Sequence, residues 1–361
     1  MRQASARKVI RLRFPVRSLQ IGRSDQAKLE KSVWDDQYAN ALLMTDNIKE
    51  NVKIRYRGGH TRYYDKKSYV LRIGHRSIHY NVEWDDPTMM RNALSFRFFE
   101  KIGVPSPRTR HVYLVINGVN QGLYLEIEGV DRSFFTKRKV NTSSLLYAIN
   151  NNANFRLIGE GGKRKRNLAS GYELVIGTSQ ELARISRFVE RIHTLKGRRL
   201  LAYMKKHLDI PEYLRWLGGA VCTGNFDGFT QNYAIFRKKG SLKYQMSPWD
   251  YEGTWGRNSY GKLSDIDNVR IKGYNGLTQK LLSFPSVRRQ YRKTLKEILE
   301  RHFTVSQLAP TINSLHSSLM PALMADSTRK YSTDVLLSDR QVILDYIAKR
   351  REYLLRELEK L

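Results

Sequence analysis

The sequence predicts an α+β fold with two lobes: a small lobe with an antiparallel sheet and one helix, and a larger, mainly helical lobe. Hydrophobic residues make up 41% of the 361 residues and only 9 residues are proline, which is typical of a folded globular protein. Strand signals dominate up to about residue 130, and helical spacing of apolar residues dominates beyond about residue 135. We therefore expect an N-terminal lobe at 1–135 and a C-terminal lobe at 136–361.

The predicted small lobe consists of two hairpins with a helix between them. Its segments, in the order strand, strand, helix, strand, strand, are 52–56, 68–73, 88–102, 111–116 and 122–128. Gly58-Gly59 and Asn117-Gly118 supply the two turns, and Gly103 ends the helix. The alternation of apolar and basic residues at 10–14 predicts a further, basic strand at the N-terminus.

The predicted larger lobe contains several helices and one hairpin. Apolar residues recur at helical spacing in the segments 182–192, 211–222, 287–299 and 343–361. Two short strand candidates, 233–236 and 242–246, flank a basic turn. This hairpin would bring the residues before its first strand close to the residues after its second strand.

The formal charge of +30, from 64 Lys+Arg against 34 Asp+Glu, predicts attraction to polyanions. Nucleic acid, a polyphosphate cofactor and an acidic assembly surface all fit this charge. The basic residues are spread along the chain without a recognition helix or zinc finger, so nucleic acid is not expected as a specific partner.

The single cysteine and the lack of long apolar stretches suggest where the protein is located in the cell. Cys222 is the single cysteine, which excludes a disulfide within the chain and fits a reducing compartment. No stretch approaches the roughly 20 apolar residues of a membrane span, and the start lacks the apolar core of a secretory signal. We expect a cytoplasmic protein without a membrane partner; an organellar transit peptide at 1–24 is the less favoured alternative.

Two short stretches carry the candidate catalytic residues: 225–232 (NFDGFTQN) and 248–256 (PWDYEGTWG). Phosphoryl transfer requires a carboxylate near the attacking hydroxyl, oxygen ligands for Mg²⁺ and a cation at the phosphates. Asp227 precedes Asn232 by the spacing of a kinase catalytic loop, and Asp250 follows beyond the predicted hairpin. Asp and Asn also favour turns, and buried ion pairs would equally satisfy these carboxylates. The pattern alone therefore favours neither a catalytic nor a structural role.

Several longer segments carry a family resemblance: 55–69 (RYRGGHTRYYDKKSY), 86–96 (DPTMMRNALSF), 102–131 (IGVPSPRTRHVYLVINGVNQGLYLEIEGVD), 213–237 (YLRWLGGAVCTGNFDGFTQNYAIFR) and 248–256. In them the chain resembles the spore-coat protein CotH family of atypical protein kinases, over most of residues 50–300. The resemblance implies a kinase-like fold and an ATP-dependent protein serine kinase that uses Mg²⁺ or Mn²⁺. It also implies Ser-rich, basic spore coat proteins as substrates, a role in outer coat assembly, and a location in the mother-cell cytoplasm and then the coat.

Residue by residue, the resemblance implies that Asp227 is the catalytic Asp and that Asp250 and Asn232 bind the metal. Glu252 stands where an Asp is expected in the family, which puts a supporting metal role for this residue in doubt. A non-catalytic, pseudokinase-like basic coat scaffold is the alternative function, and it would share the same fold.

The nucleotide side of the site is predicted in outline. Lys67 is favoured over Lys66 as the phosphate-binding lysine, although two adjacent lysines at a strand start are often simply solvated. Arg57 and Gly58 are expected in a phosphate-facing turn. On the second hairpin, Glu126 and Glu128 are candidates for the nucleotide-facing edge or, equally, for an ordinary surface strand. The sequence assigns no acidic partner to the lysine.

Overall fold

The computed structural model describes residues 14–31, 33–46 and 48–361. The strands are β1 Val16–Gln20, β2 Ala39–Met44, β3 Lys49–Arg57, β4 Ser68–Ile73, β5 Arg76–Asn81, β6 Thr109–Ile116, β7 Val119–Glu128, β8 Thr142–Ala148, β9 Tyr172–Ile176, β10 Tyr233–Lys238 and β11 Tyr244–Pro248. The helices are α1 Arg23–Lys31, α2 Arg91–Lys101, α3 Arg132–Lys137, α4 Gln180–Thr194, α5 Gly197–His207, α6 Ile210–Thr223, α7 Gly276–Leu281, α8 Pro285–Arg301, α9 Val305–Ala325 and α10 Thr333–Glu359.

The first seven strands form a closed barrel in the order β1-β2-β3-β4-β5-β7-β6. Neighbouring strands are antiparallel except β1 and β6, whose parallel pairing closes the barrel. Leu19, Ile54, Leu71 and Leu114 are among the residues that fill its interior. The predicted α+β class is therefore correct, but the sheet of the small lobe is a closed barrel, because the parallel pairing of β1 with β6 leaves it no free edge. Residues 10–13 of the predicted N-terminal strand lie outside the described residues.

Helix α2 matches the predicted helix between the hairpins but packs with the larger lobe. Its Phe98 contacts Trp255 and Phe303, with ring centroids 5.7 Å apart in both pairs. Gly219 of α6 faces Phe99, where an added Cβ would lie 2.3 Å from the ring. The absence of a side chain at Gly219 thus allows α2 and α6 to approach closely. Helix α2 therefore connects the barrel to the larger lobe.

The larger lobe combines the helices α4–α10 with a four-stranded sheet in the order β11-β10-β8-β9. The predicted hairpin is β10 and β11, and its register pairs Tyr233 with Pro248. The prediction missed β8 and β9. Among the described residues, no helix is long and apolar enough to cross a membrane.

The loop at 326–331, between α9 and α10, fastens the C-terminal helices to the barrel side. Lys66 forms a buried ion pair with Asp326 at 3.1 Å. Lys330 forms an ion pair with Asp85. The guanidinium of Arg329 donates to the carbonyl oxygens of the segment that links β5 to α2. That segment is therefore held from the far end of the chain.

Candidate active site

A cleft of about 760 Å³ lies between the barrel and the larger lobe. Its walls come from the loop after β3, the loop after α6 and the segment after β11. Its lining includes Arg57, Gly58, His60, Asn81, Asp227, Asn232, Trp249, Asp250 and Glu252. Both motif stretches therefore open into the same cavity, together with two of the residues predicted on the nucleotide side.

The loop after α6 presents Asp227. Gly224 ends the helix in the left-handed region (φ 75°), as is common at helix C-termini. A 3₁₀ turn, Asp227–Phe229, follows, and the amide of Thr230 donates to the carbonyl of Asp227 at 3.1 Å. Phe229 is fully buried while Asp227 is only half-buried. The turn thus anchors its phenylalanine in the core and leaves the carboxylate at the cleft.

Asn232 and Asp250 flank the β10–β11 hairpin, as the sequence predicts. The amide of Trp249 donates to the carbonyl of Asn232 at 3.1 Å, so the two ends of the hairpin are adjacent. Asn232 (φ 59°) and Asp250 (φ 58°) both have left-handed backbones, a conformation that Asn and Asp adopt more readily than other side chains. The hairpin therefore aligns two oxygen-bearing side chains on one wall of the cleft.

Neither Asp227 nor Asp250 has a hydrogen-bond donor or cation for its carboxylate within the described part of the chain. Burial, and then the negative charge of Asp250, raises the pKa of Asp227, and His60 opposes this shift. The structural ion pairs that could have explained these residues are thus not formed among the described residues. Two carboxylates that lie close enough for one to raise the pKa of the other favour a bound cation.

Two further acidic side chains, Glu252 and Glu83, are driven towards the neutral acid by burial and by neighbouring carboxylates. Burial and the charges of Glu83 and Asp250 raise the pKa of Glu252 well above its ordinary value. Burial, and then the charge of Asp86, raises the pKa of Glu83 to about 8. Arg57 is the one Lys or Arg among the described residues that line the cleft. Acidic groups therefore outnumber these cations, which suits a ligand or ion that brings positive charge.

The donor set fits Mg²⁺ or Mn²⁺. In the described ranges, no group of three or more His, Cys, Asp or Glu side chains is arranged to hold a metal ion. Asp227, Asp250 and the amide oxygen of Asn232 are oxygen donors, and Mg²⁺ in nucleotide sites takes one or two carboxylates and completes its shell with phosphates and water. A preformed protein cage is therefore not required here.

On the barrel side, Arg57 and Gly58 lie where they were predicted to face the cleft. Gly58 has φ 106°, and a Cβ there would lie 2.1 Å from Oγ1 of Thr61. Nη1 of Arg57 donates to Oδ1 of Asn81 at 3.0 Å, and its guanidinium lies 5.5 Å from the ring centroid of Trp249. The turn thus requires glycine and holds a half-buried arginine towards the cavity.

Neither candidate lysine lines the cleft. Nζ of Lys67 donates to the carbonyl oxygens of Arg62 and Tyr64, because the loop before β4 folds back over it. Lys66 points to the opposite side, into its ion pair with Asp326. A lysine was predicted to face the cleft, but among the described residues Arg57 is the Lys or Arg side chain that does so.

The structure does not bring Glu126 and Glu128 to the cleft. Arg17 donates to Glu126 at 2.6 Å, and Arg138 donates to Glu128 at 2.9 Å. Both glutamates line a different cavity on the barrel surface, which they share with Arg76 and other residues. The physical reason is that β7 pairs on both sides within the barrel wall, so it offers no free edge to a nucleotide.

Sequence reasoning missed three polar residues at the cleft: Asn81, which lines it, and Glu83 and Asn92, which lie behind it. All three are buried. The sequence offered one signal for Glu83: three acids cluster at 83–86 around Trp84 and before Pro87. Acids next to apolar residues can be buried, and a buried acid needs polar partners. The side-chain partners of Glu83, Asn81 and Asn92, are nearby in the chain, but no periodic pattern identifies them.

A β-barrel and a larger helical lobe, facing each other across an acidic cleft with unpaired carboxylates, define a two-lobed α+β protein. The chain belongs to the CotH kinase protein family, whose sequence model matches residues 54–354. This confirms the family resemblance of the sequence segments. The likeness extends beyond the motifs, because the match includes most of both lobes.

Named relatives are spore coat proteins. The chain is 34% identical to the inner spore coat protein H of Bacillus subtilis (strain 168) over 349 residues, which covers 94% of this chain and 96% of that protein. It is 28% identical to the inner spore coat protein H-like protein of the same organism over 328 residues, with coverage of 90% and 94%. It is 21% identical to spore coat protein homolog 1 of Rhizopus delemar, with coverage of 82% and 56%.

Two solved structures align more distantly. The Helicobacter pylori proinflammatory kinase CtkA gives a TM-score of 0.37 at 10% identity, with coverage of 81% of this chain and 94% of that chain. The HipA–HipB–DNA complex of Shewanella oneidensis MR-1 gives a TM-score of 0.38 at 10% identity, with coverage of 95% and 74%. Likeness at this level supports no conclusion about activity.

Proposed function

We propose that this protein is an ATP-dependent protein serine kinase of the spore coat, with an atypical kinase-like fold and a lobe boundary near residue 135. The proposed reaction transfers the γ-phosphate of ATP to serine residues of Ser-rich, basic coat proteins and supports assembly of the outer coat. The proposed location is the mother-cell cytoplasm and then the coat.

One observation carries this proposal. Asp227, Asn232 and Asp250 lie in one cleft, on the wall opposite Arg57 and Gly58. The carboxylates of Asp227 and Asp250 have no partner among the described residues, so they are available to substrate and metal. These are the carboxylate, oxygen ligands and cation that phosphoryl transfer requires.

The residues have distinct roles in the proposed reaction. The Asp227 carboxylate accepts a hydrogen bond from the serine hydroxyl, orients its oxygen towards the γ-phosphate and receives its proton. Asn232 and Asp250 would hold Mg²⁺ or Mn²⁺, which neutralises phosphate charge when bound. Arg57 contacts the phosphates from the barrel side, and its hydrogen bond to Asn81 limits its freedom.

The acidic cleft also suits the proposed acceptor. A basic coat protein would be repelled by most of a chain with a formal charge of +30. Around Asp227 the local balance is reversed, since Asp227 and Asp250 line a cavity in which Arg57 is the one Lys or Arg among the described lining residues. A serine flanked by basic residues would therefore meet attraction at the cleft.

Purified protein incubated with γ-labelled ATP, Mn²⁺ and a Ser-rich basic coat protein tests the proposal. We expect label on the acceptor with wild-type protein and almost none with Asp227→Asn or Asp250→Asn. A scaffold without catalytic activity would bind the acceptor but leave it unlabelled. Labelling that persists unchanged in both variants would also contradict the proposed site.

A further inference from the structure

A buried carboxylate lies behind the cleft and contacts both of its walls through two asparagines. Glu83 is 1% exposed. Its Oε1 accepts hydrogen bonds from Nδ2 of Asn81 at 2.6 Å and from Nδ2 of Asn92 at 2.9 Å. Its Oε2 accepts a second bond from Asn92 at 3.1 Å. Both asparagines therefore direct their amide nitrogen towards the same carboxylate.

The other end of each asparagine reaches a different wall of the cleft. Oδ1 of Asn81 accepts from Nη1 of Arg57 at 3.0 Å. Oδ1 of Asn92 accepts from the backbone amide of Tyr251 at 2.6 Å, directly after Asp250. Guanidinium and backbone N–H groups only donate, so each must meet the Oδ1 of its asparagine, and this fixes Nδ2 of both asparagines towards Glu83.

The backbone that carries Glu83 is held from outside the cleft. Glu83 has a left-handed backbone (φ 51°), which is uncommon for glutamate. Arg329, in the loop at 326–331, donates to the carbonyl oxygens of Val82 at 3.0 Å and Glu83 at 3.1 Å. An isolated buried charge is costly, so a network of this kind persists where its partners are well placed.

From this geometry, and given the proposed kinase function, we propose that Glu83 is a positioning residue for phosphoryl transfer. Through Asn81 it aims Arg57 at the nucleotide phosphates. Through Asn92 it fixes the backbone that carries the metal-binding carboxylate of Asp250. One buried side chain thus sets the distance between the phosphate-binding and metal-binding walls and takes the place of a lysine–glutamate pair.

The contact from Glu83 through Asn81 to Arg57 is tested by the affinity of the full-length protein for ATP with Mn²⁺, measured by calorimetry. Asn81→Ala should weaken binding about tenfold, the size expected when a hydrogen bond to a charged group is lost. The double variant Arg57→Ala/Asn81→Ala should bind about as weakly as Arg57→Ala alone, because Asn81 acts through Arg57. Wild-type affinity in Asn81→Ala, or losses that multiply in the double variant, would overturn this role.

Asn313→Ala is a matched control. Oδ1 of Asn313 accepts from Nη1 of Arg340 at 3.0 Å, the same distance as in the Asn81–Arg57 pair, but the two residues lie outside the cleft. Its nucleotide affinity should equal that of wild type. A loss in Asn313→Ala as large as that in Asn81→Ala would show a general structural effect and reject the inference.

The contact from Glu83 through Asn92 to the backbone next to Asp250 has a separate readout. Asn92→Ala should raise the Mn²⁺ concentration for half-maximal activity about tenfold, as expected when a group that orients a metal ligand is removed. At saturating Mn²⁺ its ATP affinity should stay near that of wild type. An unchanged Mn²⁺ requirement would contradict the role of Asn92.

Glu83 itself is tested by a pair of variants. Glu83→Ala should show both defects together, whereas Glu83→Gln keeps an acceptor oxygen for the two asparagines and should restore part of each. Should Glu83→Ala fail to fold, Asn81→Ala and Asn92→Ala still decide the outcome. Wild-type protein that binds no ATP would overturn the kinase proposal as well, while tight binding in wild type and all variants would overturn the positioning role alone.

Discussion

The two walls of the cleft are built in different ways. On the larger lobe, Asp227, Asn232 and Asp250 flank one local hairpin, β10–β11. On the barrel side, Arg57 reaches its position through Asn81 and Glu83, and Glu83 is held by Arg329 from near the C-terminus. The wall formed by the larger lobe depends on neighbours in sequence, whereas the barrel wall depends on contacts between distant parts of the chain.

This difference explains which residues should tolerate change. A side chain on the local hairpin is aligned by backbone pairing, so its substitution removes chemistry and leaves the fold intact. A residue of the barrel wall is aligned by hydrogen bonds, so its substitution changes geometry and affects binding first. The following predictions separate these two behaviours.

The largest effect is expected at Asp227. Asp227→Asn removes the carboxylate that orients the serine and accepts its proton, so kcat should fall about 10³-fold with little change in the KM for ATP. Steady-state kinetics on a coat-protein acceptor provide the measurement. Asp267→Asn is the control, since Asp267 does not line the cleft. An equal fall in the control, or a change confined to KM, would contradict the assignment.

The next effect concerns the metal. Removal of divalent ions with a chelator should abolish transfer, and added Mn²⁺ should restore it. Asp250→Asn should raise the Mn²⁺ concentration required by about 100-fold, because one carboxylate ligand is lost. Activity that survives the chelator, or an Asp250→Asn variant with the wild-type metal requirement, would show that this wall has another role.

A smaller effect on binding is expected in the turn of the barrel wall. Gly58→Ala forces a Cβ to within 2.1 Å of Oγ1 of Thr61 in a backbone with φ 106°. Strain of this kind costs about 1–3 kcal/mol, so ATP affinity should fall about tenfold while the melting temperature of the whole protein changes little. At Gly59 nothing lies within 4 Å of an added Cβ. A Gly59→Ala defect as large as that of Gly58→Ala would refute the steric argument.

The last effect concerns the stability of the fold and not the reaction, at the buried cluster of Asp339 with Arg91 and Arg257. Burial alone would raise the pKa of Asp339, but Arg91 and Arg257 lower it to about 2. A carboxylate with a lowered pKa stabilises the fold above its unfolded-state pKa of about 4, and this contribution, about 2 kcal/mol, is lost as the pH falls towards 2.

As the pH falls below 4, the free energy of unfolding should therefore decrease by about 2 kcal/mol more in wild type than in Asp339→Asn. Denaturant titrations over this pH range provide the measurement. Asp345→Asn, at an exposed position on the same helix, should keep the wild-type slope. Parallel curves for wild type and Asp339→Asn would contradict the stabilising role of the buried cluster.

The sequence predicts the wall formed by the larger lobe better than it predicts the barrel, and the reason is physical. Asp227 and Asp250 are separated by a short hairpin with clear strand and turn signals, so their proximity follows from local structure. Closure of the barrel depends on parallel pairing of β1 with β6, which no local pattern encodes. The predicted antiparallel sheet therefore lacks the closing pair that makes it a barrel.

The candidate residues on the nucleotide side show the same limit. Arg57 and Gly58 were placed in the phosphate-facing turn, and the structure puts them in the cleft. Lys67 has the expected position next to a strand, but its ammonium group is bound by carbonyl oxygens of its own loop. Glu83 has no periodic signal, because it lies in the irregular segment between β5 and α2, and its partners Asn81 and Asn92 belong to those two elements.

The central claim is that the cleft transfers a phosphoryl group from ATP to serine. Mass spectrometry of a Ser-rich basic coat protein, after incubation with this protein, ATP and Mn²⁺, tests it most directly. The account predicts phosphoserine on the acceptor with wild-type protein and none with Asp227→Asn. An unmodified acceptor, or one that carries a nucleotide in place of a phosphate, would contradict it.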